Sequence, residues 1–201
     1  MKPLIIWILL CIIWGTTWIF IKEGLADLPP VSFAALRFTV ACFILLPILF
    51  LQKLEIPKGK HIWKLIILTG FFQFFFNYGL LFWGEQFITS GLAAVLQAII
   101  PVFGLFLARF FVGEEINLTR IISILLGLIG LIVIFYEQLS VNGTLALLGS
   151  LAVVIGALGA SFASVLTKAK LQGLKPEVVV FWQMLIGQIP LWIVGLSIEG
   201  S

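Results

Sequence analysis

Seven apolar stretches, at roughly 3–21, 31–51, 62–83, 88–108, 119–136, 143–166 and 178–198, leave this chain few ways to fold in water. At a rise of ~1.5 Å per residue, each is about long enough to cross a hydrocarbon core of ~30 Å as a helix. Hydrophobic residues make up 62% of the chain and charged residues 10%, against roughly 25% charged residues in a soluble domain. Inside a bilayer a spanning segment must satisfy its own backbone hydrogen bonds. The sequence therefore reads as an all-α polytopic membrane protein with seven transmembrane helices.

The cations give that bundle an orientation. With the N-terminus placed in the cytoplasm, Lys2, Lys53, Lys58, Lys60, Lys64, Arg109, Arg120, Lys168, Lys170 and Lys175 all fall on the cytoplasmic side, and only Lys22 falls outside. This asymmetry follows the positive-inside rule and predicts a multi-pass protein of the cytoplasmic membrane. Arg37 fits neither side because it lies within the second stretch. The net charge of +3 resides in short loops beside helix ends, where anionic lipid accounts for it. The lipid bilayer, and no nucleic acid, is the expected partner.

Other functional classes lack their residues. Cys11 and Cys42 lie mid-stretch and show no metal-ligand spacing, so both read as small packing residues. No P-loop, GxGxxG, paired Cys or His set or Ser-His-Asp arrangement is present, and His61, the one histidine, sits in a basic loop. The expectation is a non-enzyme without cofactor, metal or catalytic residues. Gly24-Leu25-Ala26 has the small-x-small form of a signal cleavage site, but the preceding apolar run exceeds the roughly 7–15 residues of a signal core. The first helix is expected to be retained.

A short internal repeat organises the chain. Lys22, Leu25, Leu28 and Pro30 recur as Lys168, Leu171, Leu174 and Pro176, each time between two apolar stretches. Five helices separate the copies, and an odd number places the second copy upside down. Inverted repeats of this kind occur in secondary transporters, whose substrate site lies near the midplane between the halves.

Several motifs then converge on one family. Trp14-Gly15-Thr16-Thr17-Trp18, Pro30 through Arg37-Phe38, Ser90-Gly91-Leu92-Ala93-Ala94 through Pro101, Gly113-Glu114, and the Gly127/Gly130 stretch follow one another along residues 3–136. In order and spacing they resemble the EamA-type transporters of the drug/metabolite transporter superfamily. The resemblance implies ten helices in two inverted five-helix repeats, both ends cytoplasmic, and export or exchange of a small metabolite, amino acid or drug. Residues 1–136 would then be the first EamA-like repeat, and 143–201 the start of an inverted second one. Three helices of that second repeat are absent from the sequence. A fragment, an inactive truncated product and a second chain supplying the missing helices remain open, and a seven-helix receptor is the other functional class that the helix count allows.

Six residues stand out as candidates for a substrate site: Trp14, Trp18, Arg37, Gln73, Asn77 and Gln97 all fall between the midplane and the outer surface. Arg37 lies about ten ångströms deep, seven residues along its helix. It could snorkel to the headgroups, pair with Glu23, Asp27 or Glu85, or face a wet cavity and attract an anionic group. Thr69, Gln73 and Asn77 recur every four positions and are expected to form one stripe. Trp7, Cys11, Trp14 and Trp18 share a face of the first stretch, and Ser90, Ala94, Gln97, Pro101, Gly104 and Ala108 share one of the fourth, with a kink at Pro101. Interhelical hydrogen bonds offer a purely structural reading of Gln and Asn. Phe71, Phe72, Phe74, Phe75 and Phe76 must point all round their helix and are not expected to form a cage. Ser123, Gly127, Gly130, Gly149, Gly156, Ala160 and Ser164 are expected to be close-packing surfaces. No Asp or Glu lies deep in an apolar stretch, which leaves no membrane-embedded carboxylate to relay protons.

Overall fold

The computed structural model describes residues 2–52, 56–134, 136 and 143–200, without the side chains of Lys2, Pro3 and Ile134. It is an all-α polytopic membrane protein. Helices α1 (Lys2–Asp27), α2 (Pro30–Leu51), α3 (Lys60–Glu85), α4 (Ser90–Val112), α6 (Thr144–Lys170) and α7 (Pro176–Ile198) are each long and apolar enough to cross a membrane. The shorter apolar α5 (Leu118–Ile134) has 17 residues, about 26 Å at 1.5 Å rise. The helices outrun the apolar stretches at several ends: α1 continues past Lys22 to Asp27, and α6 reaches Lys170. Hydropathy marks where a chain enters lipid, whereas a helix continues until something stops it.

Two helices depart from regular α geometry. Helix α3 is α-helical over Lys60–Gly70, π-helical over Phe71–Asn77, and α-helical again over Tyr78–Glu85. Helix α4 breaks at Ala98–Ile99, between Ser90–Gln97 and Ile100–Val112. Pro101 explains the break, since it has no N–H to give the carbonyl of Gln97. Ile99 N and Val102 N instead bond three residues back, to Leu96 and Ile99. The expected kink at Pro101 is thus a full interruption a little ahead of it. Gly113, at φ 74°, closes α4 in the left-handed conformation that glycine adopts without strain.

Helix α6 forms the centre because its small residues admit close neighbours. Gly84 of α3 meets Gly149, Gly156 lies against the backbone of Asn77, and Gly70 and Gly187 bring α3 onto α7. Phe38, Phe74, Phe82, Val153, Phe181 and Leu191 fill the core between them. Gln183 Nε2 donates to Thr69 Oγ1 at 2.8 Å and Thr167 Oγ1 at 2.9 Å, joining α7, α3 and α6. Thr39 Oγ1 donates to Gln188 Oε1 at 2.7 Å and accepts from Trp192 Nε1 at 3.0 Å, joining α2 to α7. Gly127 and Gly130 meet nothing within 4 Å, so the close packing expected of α5 is not seen. Cys42 is buried in the core, but Cys11 is exposed.

The helix ends are tied in two groups. At one end, the Glu199 carboxylate after α7 accepts from Val31 N and Ser32 N, each at 2.8 Å, and from Ser32 Oγ at 2.7 Å. It thereby satisfies the free N–H groups of α2, whose own cap position is Pro29. Lys22 Nζ donates at the same end to the carbonyls of Glu85, Gln86 and Ile88 at 2.6, 3.2 and 2.8 Å. The opposite end gathers Lys58, Lys60, Lys64, Arg109, Arg120, Lys168, Lys170 and Lys175, as the helix directions require. Lys53 lies outside the described residues.

Candidate functional site

Helices α1 to α4 enclose a cavity of about 610 Å³. All six residues singled out from the sequence line it: Trp14 and Trp18 from α1, Arg37 from α2, Gln73 and Asn77 from α3, and Gln97 from α4. Leu10, Ile13, Thr17 and Ile21 complete the α1 wall, and Tyr78, Leu81, Ala94 and Pro101 supply others. Trp7 and Cys11, expected on the same face of α1 as Trp14 and Trp18, do not reach the cavity.

Each wall follows from local backbone structure. The π turn places both Gln73 and Asn77 on the cavity, while Thr69, one step earlier in the expected stripe, turns away to Gln183 and α7. A change from i→i+4 to i→i+5 bonding alters the phase of the helix, and the stripe divides there. None of the five phenylalanines of this segment lines the cavity; Phe74 packs on Phe38, and Phe72 on Phe162. Thr89 Oγ1 caps α4 by accepting from Leu92 N at 3.1 Å, which fixes the helix that presents Ala94 and Gln97.

The polar groups divide between structure and space. Gln97 Nε2 donates to Asn77 Oδ1 at 3.1 Å in the buried wall, so this pair also ties α3 to α4. Arg37 is partly buried and makes no hydrogen bond or ion pair among the described residues. In particular it does not pair with Glu23, Asp27 or Glu85, although its field reaches Glu85 and Tyr78. It is a cation presented to a cavity with its donors free.

A second cavity, of about 380 Å³, lies toward the cation-rich end between α4, α5 and α6. Pro101 lines both cavities, and Gly104, Ala108, Glu114, Arg120, Ser164 and Lys168 line the second. The face expected of α4 is therefore shared between two cavities on either side of Pro101. Glu114 accepts from Lys168 Nζ at 3.0 Å and Arg120 Nη1 at 3.1 Å. Glu114 thereby links the start of α5 to the end of α6. These hydrogen bonds, from Lys168 foremost and then Arg120, hold the Glu114 carboxyl below the usual carboxylate range. A lowered carboxylate pKa means that its contribution is present above the unfolded value and lost as pH falls through the folded one. The bridge should therefore persist at neutral and mildly acidic pH and open only below the ordinary carboxylate range. Side-chain carbonyl NMR of Glu114 should show this, and Lys168→Gln should move its titration back toward the ordinary value.

Two residues at the end of the bundle away from the clustered cations carry more than the sequence reveals. Lys22, read there as a loop cation, is within α1 and binds three carbonyls at the end of α3 and the turn beyond. Glu85 ends α3 as expected for a carboxylate at a helix end, but its side chain is 0% exposed. The sequence places this carboxylate at a helix end outside the apolar stretches, and the structure keeps it there but covers it: a helix end is solvated only if no neighbour covers it, and Gly84 lets α6 do so.

Comparison with known proteins decides the family. Residues 1–136, more than half of the chain, match the model of the EamA-like transporter family. The chain belongs to the EamA-like transporter family. It is 29% identical over 188 residues to the uncharacterized transporter YoaV of Bacillus subtilis, covering 94% of this chain and 64% of that protein. It is 27% identical over 199 residues to the probable amino-acid metabolite efflux pump of Escherichia coli, covering 96% of this chain and 64% of that protein. Protein PagO of Salmonella typhimurium is 31% identical over 136 residues, 67% of this chain and 44% of PagO. The chain thus spans less than two thirds of the length of these relatives. The family that the match names is one of transporters, a class other than the receptor that seven helices also allowed.

Proposed function

We propose that this EamA-family chain forms the substrate-binding half of a secondary transporter for a small carboxylate-bearing metabolite, amino acids foremost, at the cytoplasmic membrane. The observation that supports this most is the unpaired Arg37 in a cavity of about 610 Å³, a size in the range of ~300–1,000 Å³ that suits small molecules. A guanidinium with free donors matches a carboxylate in charge and geometry. Trp14, Trp18 and Tyr78 offer apolar surface for the remainder, and Gln73 and Asn77 further polar groups. The printed role of the E. coli relative, amino-acid metabolite efflux, fits this cargo. On this reading residues 1–136 are the first repeat, 143–201 begin the inverted second, the cation-rich end is cytoplasmic, and the two cavities meeting at Pro101 serve opposite sides of the membrane by alternating access. Export or exchange is the direction proposed.

Counterflow tests the proposal. Proteoliposomes holding the protein that carries this chain, loaded with one unlabelled neutral amino acid at a time, should accumulate the matching tracer above protein-free vesicles for at least one of them. Correctly inserted protein that shows no counterflow with any neutral amino acid would remove the amino-acid cargo.

A further inference from the structure

The end of α3 holds a carboxylate in an unusual setting. Glu85 is 0% exposed, and neither of its side-chain oxygens has a hydrogen-bond partner. The nearest ammonium does not supply one, because Lys22 directs its bonds to backbone carbonyls, that of Glu85 itself included. Arg37, across on α2, has free donors but does not reach the carboxylate. Glu85 is thus sealed by the close approach of α3 to α6 at Gly84 and Gly149, with two cations near and no hydrogen bond from either.

The charges that act on Glu85 can be named element by element. Lys22 from α1 and Arg37 from α2 act on it through their fields. Helix α4 carries no charged residue between Ser90 and Ala108, and α6 none between Thr144 and Thr167. Glu199, after α7, is committed to Val31 and Ser32. Ionised and sealed, the Glu85 carboxylate is a charge without donors, a costly arrangement. A proton on either oxygen removes the charge, and a cation brought closer favours its release. The mobile cation is Arg37, since Lys22 is held by three carbonyls.

We propose that Glu85 is a proton-binding site whose occupancy follows the position of the Arg37 guanidinium. With Arg37 turned toward Glu85, the carboxyl O–H bond breaks and the proton passes to water at that end of the bundle. With Arg37 held in the cavity by an anionic group, Glu85 keeps its proton. No electrons move, and the charge of one bound anion is matched by one retained proton. The link to cargo rests on the reading of Arg37 given above, whereas the proton site does not.

Infrared difference spectroscopy of the protein in lipid vesicles tests both parts. A carboxylic-acid carbonyl band that Glu85→Gln removes should be present at neutral pH. Arg37→Gln should move its disappearance upward by about one pH unit or more. Methanesulfonate, a small anion without a carboxyl band, should move it in the same direction in the unmodified protein and not in Arg37→Gln. No such band, or one that Glu85→Gln leaves in place, overturns the proton site and makes Glu85 a fixed counter-ion. Should Glu85→Gln fail to fold, a band indifferent to Arg37→Gln overturns it instead. A band that Arg37 shifts but methanesulfonate does not overturns the coupling to cargo and leaves the proton site standing.

Discussion

Arg37→Ala should abolish measurable transport while the protein accumulates and inserts at its normal level. The second half of that expectation comes from the structure. Arg37 makes no hydrogen bond or ion pair among the described residues, so truncating it orphans no partner, the usual source of large losses. The first half comes from the cavity. A hydrogen bond to a charged group contributes about 1.5–3 kcal/mol, or roughly 10- to 100-fold in affinity for each one lost. Arg37→Lys should recover only part of the activity, since an ammonium keeps the charge without the planar fork. Transport and membrane abundance measured on the same preparation separate the outcomes. A variant that disappears from the membrane would make Arg37 structural, and one that transports normally would remove it from the site.

Gly84→Val should have the larger effect on folding. A Cβ at Gly84 would lie 2.5 Å from the Gly149 carbonyl oxygen and 2.9 Å from Val153 Cγ2. The first of these is backbone, which has no rotamer by which to yield. Helices α3 and α6 would have to separate, and with them the wall that covers Glu85. Overpacking of this kind costs about 1–3 kcal/mol, sometimes more, and each ~1.4 kcal/mol lowers the folded-to-unfolded ratio about tenfold. Gly127→Ala provides the comparison: nothing lies within 4 Å of that position, and alanine is the better helix former by roughly 1 kcal/mol. Size-exclusion profiles of detergent extracts should show Gly84→Val lost or aggregated and Gly127→Ala unchanged or improved.

Depth was legible in the sequence, and azimuth was not. Loop cations and apolar boundaries place each residue along the membrane normal, which is why Trp14, Trp18, Arg37, Gln73, Asn77 and Gln97 could be grouped and why they line one cavity. Which side of a helix each residue occupies depends on backbone phase. Thr69, for one, was separated from Gln73 by a π turn that has no evident signature in a phenylalanine-rich run. The burial of Glu85 was illegible for another reason. It requires knowing that Gly84 and Gly149, distant in sequence, meet. The hold of Glu199 on the start of α2 likewise joins residues that no local pattern relates.

The π turn has a consequence for how much change this helix can absorb. Each residue in an α-helix advances the side chains by about 100°. A π segment fits one residue more than α geometry would into nearly the same rotation of the helix. With one residue fewer between Gly70 and Asn77, α3 could return to i→i+4 bonding, still long enough to span the bilayer and with its two halves close to their present relation. Thr69 would keep its place beside Gln183 and Gly84 its place beside Gly149, while Gln73 and its neighbours would be redistributed around the axis. The same deletion between Tyr78 and Gly84 has no such slack, and would turn one end of that stretch against the other by roughly 100°. Single-residue deletions should therefore be accepted more readily in the π segment than in the regular helix that follows it. The segment holds the one residue of length that the rest of α3 cannot spare.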